Sequence, residues 1–386
     1  MEQAAKESVA RCPETGLEVV GITDHNLALE LKSLGPLVKT QGVTFRLPDP
    51  GSEVVAVNLY QEVLQPRDGP RMTMRGGVYE VAIPRPPVDR MEYLFRLRYR
   101  NGQVTLGTDP GNPRRAPGPF GDKSVIEFPE YRAPRWTASS ALPRGEVRDF
   151  DIPCPTLEGA THCRLWSSPG TRSEQSLPLL IALDGLEYDL FSSLTQFLDQ
   201  AARAGELPRM RAALLHPVQR DRDYSASPDF ACSLQQEVLP QLAGRVSIRP
   251  EPRARVGMGA SLGGLAMLHA HWSQPELLGG LFLQSASFFN HHYLSQSLSF
   301  EHMERICAFT ESIHSACHAP ARASVVLTCG TVEETLLANT AMASSLSRLG
   351  YRCELQRLRD AHNWIAWRDA FRPWLSQLLA CLWSSL

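Results

Sequence analysis

The sequence predicts two domains, an all-β sandwich followed by a larger α/β domain whose mostly parallel sheet carries helices on both faces. Two observations predict this order. Short β-rich runs bounded by Pro, Gly or Asp occupy the stretch 42–134, whereas continuously apolar runs alternate with helical patterns in the stretch 156–386. The length of 386 residues accommodates both domains, at about 150 residues per domain.

Composition argues against several classes of protein. The chain has 39 basic and 41 acidic side chains, a formal charge of −2, and 43% hydrophobic residues. We therefore expect neither a polybasic protein that binds nucleic acid nor a chain that lacks a hydrophobic core. No apolar run reaches membrane-spanning length, and the N-terminus carries acidic residues without the apolar run of a signal peptide. We expect a cytoplasmic protein with no nucleic-acid partner and no membrane association.

The cysteine pattern indicates neither a metal site nor a disulfide framework. Nine cysteines are present, and no two of them form a C-x-x-C pair. We interpret most of them as small buried apolar side chains in a reducing compartment. The sequence therefore predicts no metal and no cofactor.

The first domain is assigned to residues 42–134, and residues 1–41 remain unassigned. Its predicted strands are VTFRL, VVAVNLY, GVYEVAI, YLFRLRY and VTLGT. Asn101-Gly102 separates the last two of these runs and is a strong signal for a tight hairpin turn. Residues 135–155 are rich in Pro, Arg and Ser, and we interpret them as a linker that leads into an edge strand.

The second domain is assigned to residues 156–386. Its predicted strands lie in the apolar runs LPLLIALDG, RMRAALLHP, RARVGMGAS, LGGLFLQSAS and ASVVLTCGT. Helical patterns separate these runs, which favours parallel strands joined by helices. No repeat of solenoid length is present, so repeat architectures are not expected.

A G-x-S-x-G motif, Gly259 to Gly263, follows one apolar strand and directly precedes a helical run. This context is typical of a nucleophile elbow, because glycines on both sides allow the tight turn that exposes the serine. Ser261 is therefore the candidate nucleophile, and the backbone N–H of Leu262 is a candidate oxyanion donor. The alternative is a glycine-rich turn with Ser261 as an ordinary helix N-cap.

A serine nucleophile needs a base, and in α/β-hydrolases the chain order is serine, acid, histidine. His362 follows the strand-like run YRCELQRL and precedes a Trp-rich helix, so it is the candidate base. We interpret four other histidines as surface or packing residues, with the last two alternatively lining a pocket mouth: His269, His271, His291 and His292.

The acid is expected after the strand that precedes the histidine. Glu333 and Glu334 stand there, 29 and 28 residues before His362 (362 − 333 and 362 − 334), and either one is a candidate. The alternative for each is a charged first turn of a helix. Asp360 ranks third, since a spacing of two residues on a loop is awkward for a triad.

A second oxyanion donor is expected at the end of an earlier strand, where Asp184-Gly185 follows LLIAL. Gly185 is the candidate donor, and Asp184 is a candidate substrate contact or a simple helix cap. Arg220 and Arg222 follow on a loop and are candidates for holding an anionic substrate, against the alternative of a solvated charge run.

These segments in this order resemble the enterochelin (ferric enterobactin) esterases, in the esterase D-like branch of the α/β-hydrolases. The resemblance rests on LLIALDGLEY, RDRDYSASPDFACSLQQEVLPQL, RVGMGASLGGLAML, LFLQSASFF, LTCGTVEETLLAN and HNWIAWRDAF. The β domain is similar to the immunoglobulin-like E-set domain of that family, through a Y-x-F strand and the turn formed by residues 109–113. The resemblance covers about residue 42 to the C-terminus.

The resemblance implies hydrolysis of ester bonds in a cyclic tri-catecholate siderophore, ferric or apo, or in its linear fragments, with release of iron inside the cell. It implies the same roles for Ser261 and His362, and oxyanion donors at Asp184-Gly185 and Leu262. Trp364, in the H-N-W block, is a further candidate for substrate contact.

The sequence departs from the family at two places. Asp360-Ala361 precedes the histidine where the family usually has Gly-Gly, and Asp223-Tyr224 stands in place of the Glu-Leu of an R-x-x-E-L block. Two alternatives follow for the function. One is another ester hydrolase of this fold, of the feruloyl or acetyl esterase kind, and the other is a glycan- or partner-binding protein with a degenerate hydrolase site.

Overall fold

The computed structural model describes residues 19–20, 34–138, 144–291 and 300–384. The chain separates into two compact units, described one at a time below. The first unit comprises Met1–Arg132 and Arg359–Ala361, and the second comprises Ala133–Leu358 and His362–Leu386.

The described strands of the first unit form two sheets. One sheet has the order β1-β9-β8-β11-β10, with β4 also paired to β8 and β5 paired to β4, and the other has the order β2-β3-β7-β6. The strands are β1 (Val19–Val20), β2 (Leu37–Lys39), β3 (Gly42–Pro48), β4 (Val54–Gln61), β5 (Asp68–Arg71), β6 (Thr73–Arg75), β7 (Val78–Pro84), β8 (Arg90–Tyr99), β9 (Val104–Gly107), β10 (Arg115–Ala116) and β11 (Lys123–Glu127). The strands β1 and β2 lie within the segment that the sequence left unassigned.

The two sheets pack against each other through aromatic residues. Phe45 on β3 and Tyr93 on β8 are both buried, and their ring centroids lie 4.7 Å apart in an edge-to-face arrangement. The alternation of buried and less buried positions along β3 follows from its one inward face. The predicted hairpin turn lies between β8 and β9, and Gly102 has the positive φ, 87°, that such a turn requires.

A buried hydrogen-bond cluster explains the turn at residues 109–113. The hydroxyl of Tyr93 donates to Oδ2 of Asp109 over 2.5 Å and accepts from Nδ2 of Asn112 over 3.1 Å. The backbone N–H of Gly111 donates to the other carboxylate oxygen of Asp109. These polar side chains satisfy one another inside the unit, so this motif serves the fold of the β domain.

The second unit contains a sheet of order β12-β13-β15-β14-β16-β17-β18-β19. The pairs β12/β13 and β13/β15 are antiparallel, and the remaining pairs are parallel. The strands are β12 (Glu146–Cys154), β13 (Gly159–Ser167), β14 (Leu179–Leu183), β15 (Arg211–Leu215), β16 (Arg255–Ala260), β17 (Gly280–Gln284), β18 (Ser324–Gly330) and β19 (Arg352–Leu358). The predicted apolar runs thus lie in a mostly parallel sheet.

Both faces of this sheet are covered by helices. The two faces of β14 show this, because its alternate residues pack into two different core clusters. Leu179, Ile181 and Leu183 pack in one cluster, and Leu180 and Ala182 pack in the other. The described α-helices are α1 (Gly185–Ser192), α2 (Leu194–Arg203), α3 (Arg220–Tyr224), α4 (Pro228–Ser233), α5 (Leu239–Ala243), α6 (Leu262–Ser273), α7 (Met303–Ser315), α8 (Leu336–Arg348), α9 (Trp364–Asp369) and α10 (Ser376–Trp383).

The stretch 135–155, which the sequence predicts as a linker that leads into an edge strand, has regular structure over part of its length. It contains a short 3-10 helix, Arg135–Ala138, and the nine-residue strand β12. Strand β12 pairs with β13 along its whole length and forms the edge of the second sheet. Its mostly exposed side chains gave no apolar run, which is why the pattern favoured a linker there.

Candidate active site

Ser261 stands at the turn between β16 and α6, with φ 54° and ψ −123°. Such a backbone conformation is rare for a residue other than glycine and marks a strained turn. A Cβ added at Gly259 would lie 2.4 Å from the carbonyl carbon of Gly263, and one at Gly264 would lie 2.8 Å from Cβ of Ala286. The glycines therefore allow the helix to pass close to the strand behind it.

The side chain of Ser261 does not cap helix α6, although the residue occupies the N-cap position. Its Oγ instead lies 3.1 Å from Oγ of Ser287, and the backbone N–H of Ser287 donates to the carbonyl oxygen of Ser261. The alternative of an ordinary capping serine does not hold, because the hydroxyl is not engaged by the helix N–H groups.

Glu333 and His362 meet at the carboxyl end of the sheet. Oε2 of Glu333 lies 2.8 Å from Nδ1 of His362, and the exposed fractions of the two side chains are 3% and 28%. A carboxylate oxygen accepts, so Nδ1 carries the proton of a neutral imidazole and Nε2 is the ring nitrogen that can take up another. An imidazole held in this way is prepared to act as a base.

The carboxylate of Glu333 is stabilised in its charged form. Burial would raise its pKa, but the neighbouring His362 and hydrogen bonds from Ser285, Gly330 and His362 outweigh burial and hold the pKa of Glu333 below its usual range. The hydroxyl of Thr335 also donates to Oε2 over 3.0 Å. Glu333 is therefore ionised at neutral pH, and its negative charge can stabilise the imidazolium that forms when His362 takes up a proton.

The structure distinguishes among the three acids that the sequence left open. Glu334 is exposed, whereas its neighbour Glu333 is directed toward His362. Asp360 belongs to the first unit, where its Oδ2 lies 3.8 Å from Nη1 of the buried Arg90 and its Oδ1 accepts from the N–H of Ala361. The carboxylate of Glu333 bonds to Nδ1 of His362.

Asp184 and Arg220 form a close ion pair. Nε of Arg220 lies 2.9 Å from Oδ1 of Asp184, and Nη2 lies 2.6 Å from Oδ2, so the pair is bidentate. The aspartate side chain is 4% exposed and the arginine side chain is 39% exposed. Asp184 occupies the N-cap position of α1 without a capping hydrogen bond, so its carboxylate serves Arg220 and not the helix.

Two helix N-termini lie at the carboxyl ends of neighbouring parallel strands. Helix α1 begins at Gly185 directly after β14, and helix α6 begins at Leu262 directly after β16. The first N–H groups of a helix have no acceptor within the helix, so both termini present free donors and positive dipole ends. A Cβ on Gly185 would lie 2.4 Å from Cα of Leu214, which makes glycine necessary there.

The remaining predicted contacts have different surroundings. Arg222 donates to the carbonyl oxygen of Leu157 and to Oδ1 of its neighbour Asp223, which ties it to the protein. Trp364, the first residue of α9, is half-buried, and its ring lies edge-on to the ring of Tyr188 at 5.2 Å.

Three of the other four candidate histidines lie within the described residues. His269 and His271 are buried on α6, as the packing interpretation predicts, and burial lowers the pKa of each to about 4. His291 lies 3.4 Å from Glu304. His292 lies outside the described residues.

Sequence reasoning missed several polar residues behind the site. Ser285 donates to Oε1 of Glu333, and Trp367 packs edge-on against His362 with ring centroids 5.0 Å apart. Gln284 accepts from the hydroxyl of Tyr188 over 2.8 Å. The block QSASFF and the second tryptophan of HNWIAW contained the signal, but no local pattern reveals which distant partner each side chain meets.

A protein family, curated relatives and solved structures match this chain. The profile of the putative esterase family matches residues 166–378, which is more than half of the chain. The chain belongs to the putative esterase family. The prediction of a carboxylic ester hydrolase is thereby confirmed.

This esterase is similar to two curated proteins of Escherichia coli, both named iron(III) enterobactin esterase. The one from Escherichia coli O6:H1, strain CFT073, is 26% identical over 310 residues, which cover 78% of this chain and 73% of the relative. The one from strain K12 is 25% identical over 323 residues, which cover 81% and 75%. The resemblance read from the motifs is therefore confirmed.

Solved structures share the fold of this esterase. The enterobactin esterase of Shigella flexneri, solved in the presence of enterobactin, gives a TM-score of 0.72 at 20% identity over 91% of this chain and 96% of that chain. The ferric enterobactin esterase of Salmonella typhimurium gives 0.72 at 21% identity over 91% and 97%. A ferulic acid esterase gives 0.51 at 14% identity over 62% and 99%. The α/β-hydrolase-like fold is thus shown.

Two features are absent from the part of the chain that the structure describes. No helix there has both the length and the apolar character needed to cross a bilayer. No group of three or more His, Cys, Asp or Glu side chains is arranged to hold a metal ion in the same part of the chain.

Proposed function

We propose that this esterase hydrolyses the ester bonds of a tri-catecholate siderophore of the enterobactin kind, with Ser261 as nucleophile, His362 as general base and Glu333 as the acid of the triad. The observation that carries the proposal is the hydrogen bond of 2.8 Å between Glu333 and His362 at the same edge of the sheet as the strained turn of Ser261. The names of the relatives supply the substrate class.

The reaction begins with attack of the Ser261 hydroxyl oxygen on an ester carbonyl carbon, as its proton passes to Nε2 of His362. Collapse of the tetrahedral intermediate expels the alcohol, which takes the proton back from the imidazolium. Water then attacks the acyl-serine with the same base accepting its proton, and the acid leaves as Ser261 regains its hydrogen. Glu333 keeps the imidazole in the reactive tautomer and stabilises the imidazolium in both halves.

The oxyanion of each tetrahedral intermediate is held by the backbone N–H groups of Gly185 and Leu262. Both groups are at helix N-termini that follow neighbouring strands. The two helix starts are also close together, since a Cβ built on Gly263 would lie 3.6 Å from Oδ2 of Asp184. Fixed donors of this kind are worth about 3 kcal/mol each to the transition state.

Arg220 is the proposed contact for the negative charge of the ferric catecholate. Asp184 engages Nε and Nη2 of its guanidinium, and no oxygen among the described residues accepts a hydrogen bond from Nη1. The rigid bidentate pair thus holds a partly exposed donor beside the start of α1. The half-buried ring of Trp364, which packs on Tyr188 in α1, is the proposed apolar contact for a catechol ring.

The β unit and the location of the reaction complete the proposal. We assign residues 42–134 to an immunoglobulin-like E-set domain, supported by the two packed sheets, and residues 156–386 to the catalytic domain. All eight cysteines in the described ranges are free thiols, which supports a reducing compartment, and we propose the cytoplasm.

The test compares three substrates at equal concentration: enterobactin, methyl ferulate and p-nitrophenyl acetate. The proposal expects a kcat/KM for enterobactin at least about a hundredfold above that for methyl ferulate, because remote binding contacts contribute to the transition state. A preference for methyl ferulate would instead favour a feruloyl esterase. Ser261→Ala should lose activity on all three, and an active Ser261→Ala variant would exclude the proposed nucleophile.

A further inference from the structure

Behind the Glu333 carboxylate runs a buried chain of two further side chains. Nε1 of Trp367 lies 3.0 Å from Oγ of Ser285, and Oγ of Ser285 lies 2.7 Å from Oε1 of Glu333. Both residues are buried, at 5% and 1% exposure. The chain reaches the carboxylate oxygen opposite the one that bonds to His362.

Donor chemistry gives this chain one direction. An indole N–H can only donate, so Oγ of Ser285 accepts from Trp367. The hydroxyl proton of Ser285 then points to Glu333, whose ionised carboxylate can only accept. Trp367 thereby selects the hydroxyl orientation that stabilises the carboxylate in a fixed position.

Trp367 also contacts the other end of the pair. Its ring lies edge-on to the imidazole of His362, with centroids 5.0 Å apart and an interplanar angle of 85°. One side chain thus packs against the base and, through Ser285, holds the acid. The orientation of His362 is restricted from two sides.

The backbone around both residues is anchored. Nε2 of Gln284 donates to the carbonyl oxygen of Trp367 over 3.0 Å. The side-chain amide of Asn339 exchanges two hydrogen bonds with the backbone of Ala286. These bonds hold the loop that carries Ser285 and the helix that carries Trp367 in one register.

Ser285 itself has a strained backbone, with φ 45° in the left-handed region. A glycine would adopt this conformation without strain, but the position holds a serine. The serine hydroxyl both accepts a hydrogen bond from Trp367 and donates one to Glu333. Backbone strain at a hydrogen-bonded residue beside the site is expected of a residue with a positioning role.

We propose that Ser285 and Trp367 are positioning residues that fix the carboxylate of Glu333 and, through it, the orientation and tautomer of His362. The inference rests on the proposed function, because it assigns these residues to the triad of that reaction. Neither residue transfers a proton or bonds to the substrate in this scheme, so the effect is on the turnover step and not on substrate binding.

The experiment measures kcat and KM on p-nitrophenyl acetate for Ser285→Ala and Trp367→Phe. We expect kcat to fall about 10- to 100-fold with KM within about threefold of wild type, since small misplacements of a catalytic group have effects of this size. The matched controls are Ser376→Ala and Trp383→Phe, which remove a hydroxyl and an indole N–H bonded to Pro373 and Arg253 in the same unit. Both controls should keep wild-type kcat.

A double-variant cycle separates positioning from a merely structural effect. Because Ser285 acts through Glu333, adding Ser285→Ala to Glu333→Gln should reduce kcat by less than about threefold further. A full multiplication of the two losses, or a wild-type kcat in both Ser285→Ala and Trp367→Phe, would overturn the inference. Activity in Ser261→Ala would overturn the proposed function and this inference together. An inactive Ser261→Ala, beside wild-type kcat in both Ser285→Ala and Trp367→Phe, would overturn the inference alone.

Discussion

Glu333 and His362 are 29 residues apart in sequence, yet Oε2 of one lies 2.8 Å from Nδ1 of the other. The strands β18 and β19 are parallel neighbours, and each residue follows the carboxyl end of its own strand. The topology therefore brings an acid and a histidine together without any local sequence contact.

Replacing each glutamate in turn should show that activity depends on Glu333 and not on Glu334. Glu333→Gln keeps the shape but puts an amide against Nδ1, which disfavours the reactive tautomer, so kcat should fall about a thousandfold or more. Glu334→Gln, at an exposed position, should remain within about threefold of wild type. Steady-state kinetics on p-nitrophenyl acetate give both values, and equal losses in the two variants would remove Glu333 from the triad.

The two glycines of the elbow should respond differently to alanine. A Cβ at Gly259 would collide with the backbone of Gly263 at 2.4 Å, whereas the nearest atom to a Cβ at Gly263 is 3.5 Å away, an ordinary contact. Gly259→Ala should therefore lose about 3 kcal/mol or more of unfolding free energy, and Gly263→Ala less than about 1 kcal/mol. Denaturant titration measures both, and a tolerated Gly259→Ala would contradict the close approach of strand and helix.

The free energy of unfolding should fall as the pH is lowered, because His271 is buried in its neutral form. Burial lowers the pKa of His271 from 6.5 to about 4, even though Nδ1 donates to the carbonyl oxygen of Leu278. The unfolded chain therefore binds more protons, so the contribution of His271 is complete above about pH 6.5 and is lost as the pH falls toward 4. Between pH 7 and 5 this amounts to about 2 kcal/mol.

The measurement is the loss of unfolding free energy between pH 7 and 5 in wild type and in His271→Asn. Tryptophan fluorescence reports the second unit, because all seven tryptophans follow residue 132. The loss should be about 2 kcal/mol smaller in the variant, which no longer titrates at this position. Equal losses in both proteins would mean that His271 is not held neutral.

The bidentate arginine should matter for a charged substrate. Arg220→Lys keeps the charge beside Asp184 but loses the planar fork, so KM for the ferric catecholate should rise about five- to tenfold. KM for the neutral p-nitrophenyl acetate should stay within about twofold. Arg222→Lys is the control, since that guanidinium bonds to Leu157 and Asp223. An identical change of KM in both arginine variants would argue against a specific contact.

Local signals in the sequence predict the strands and the turn of Ser261, since these depend on apolar runs and on glycines within a few residues. The choice between Glu333 and Glu334 does not follow from sequence, because two adjacent glutamates have the same chemistry and differ only in direction. The bonds of Ser285 to Glu333 and of Trp367 to Ser285 span 48 and 82 residues, so only the assembled sheet reveals them.

The structure differs from the sequence-based expectation at two further places, and each difference has a physical cause. Strand β12 is an edge strand, as predicted, but it begins within the stretch assigned to the linker, because its mostly exposed side chains give no apolar run. Asp184 occupies an N-cap position, yet its side chain bonds to Arg220, 36 residues away. A charged partner from another element displaced the local capping bond that the sequence alone favours.

The most direct test incubates ferric enterobactin with wild type and with Ser261→Ala and follows the linear trimer, dimer and monomer by chromatography. The proposed function predicts complete conversion to linear products by wild type and none by Ser261→Ala at the same protein concentration. Intact ferric enterobactin after incubation with wild type, in a preparation that turns over p-nitrophenyl acetate, would contradict the proposed substrate.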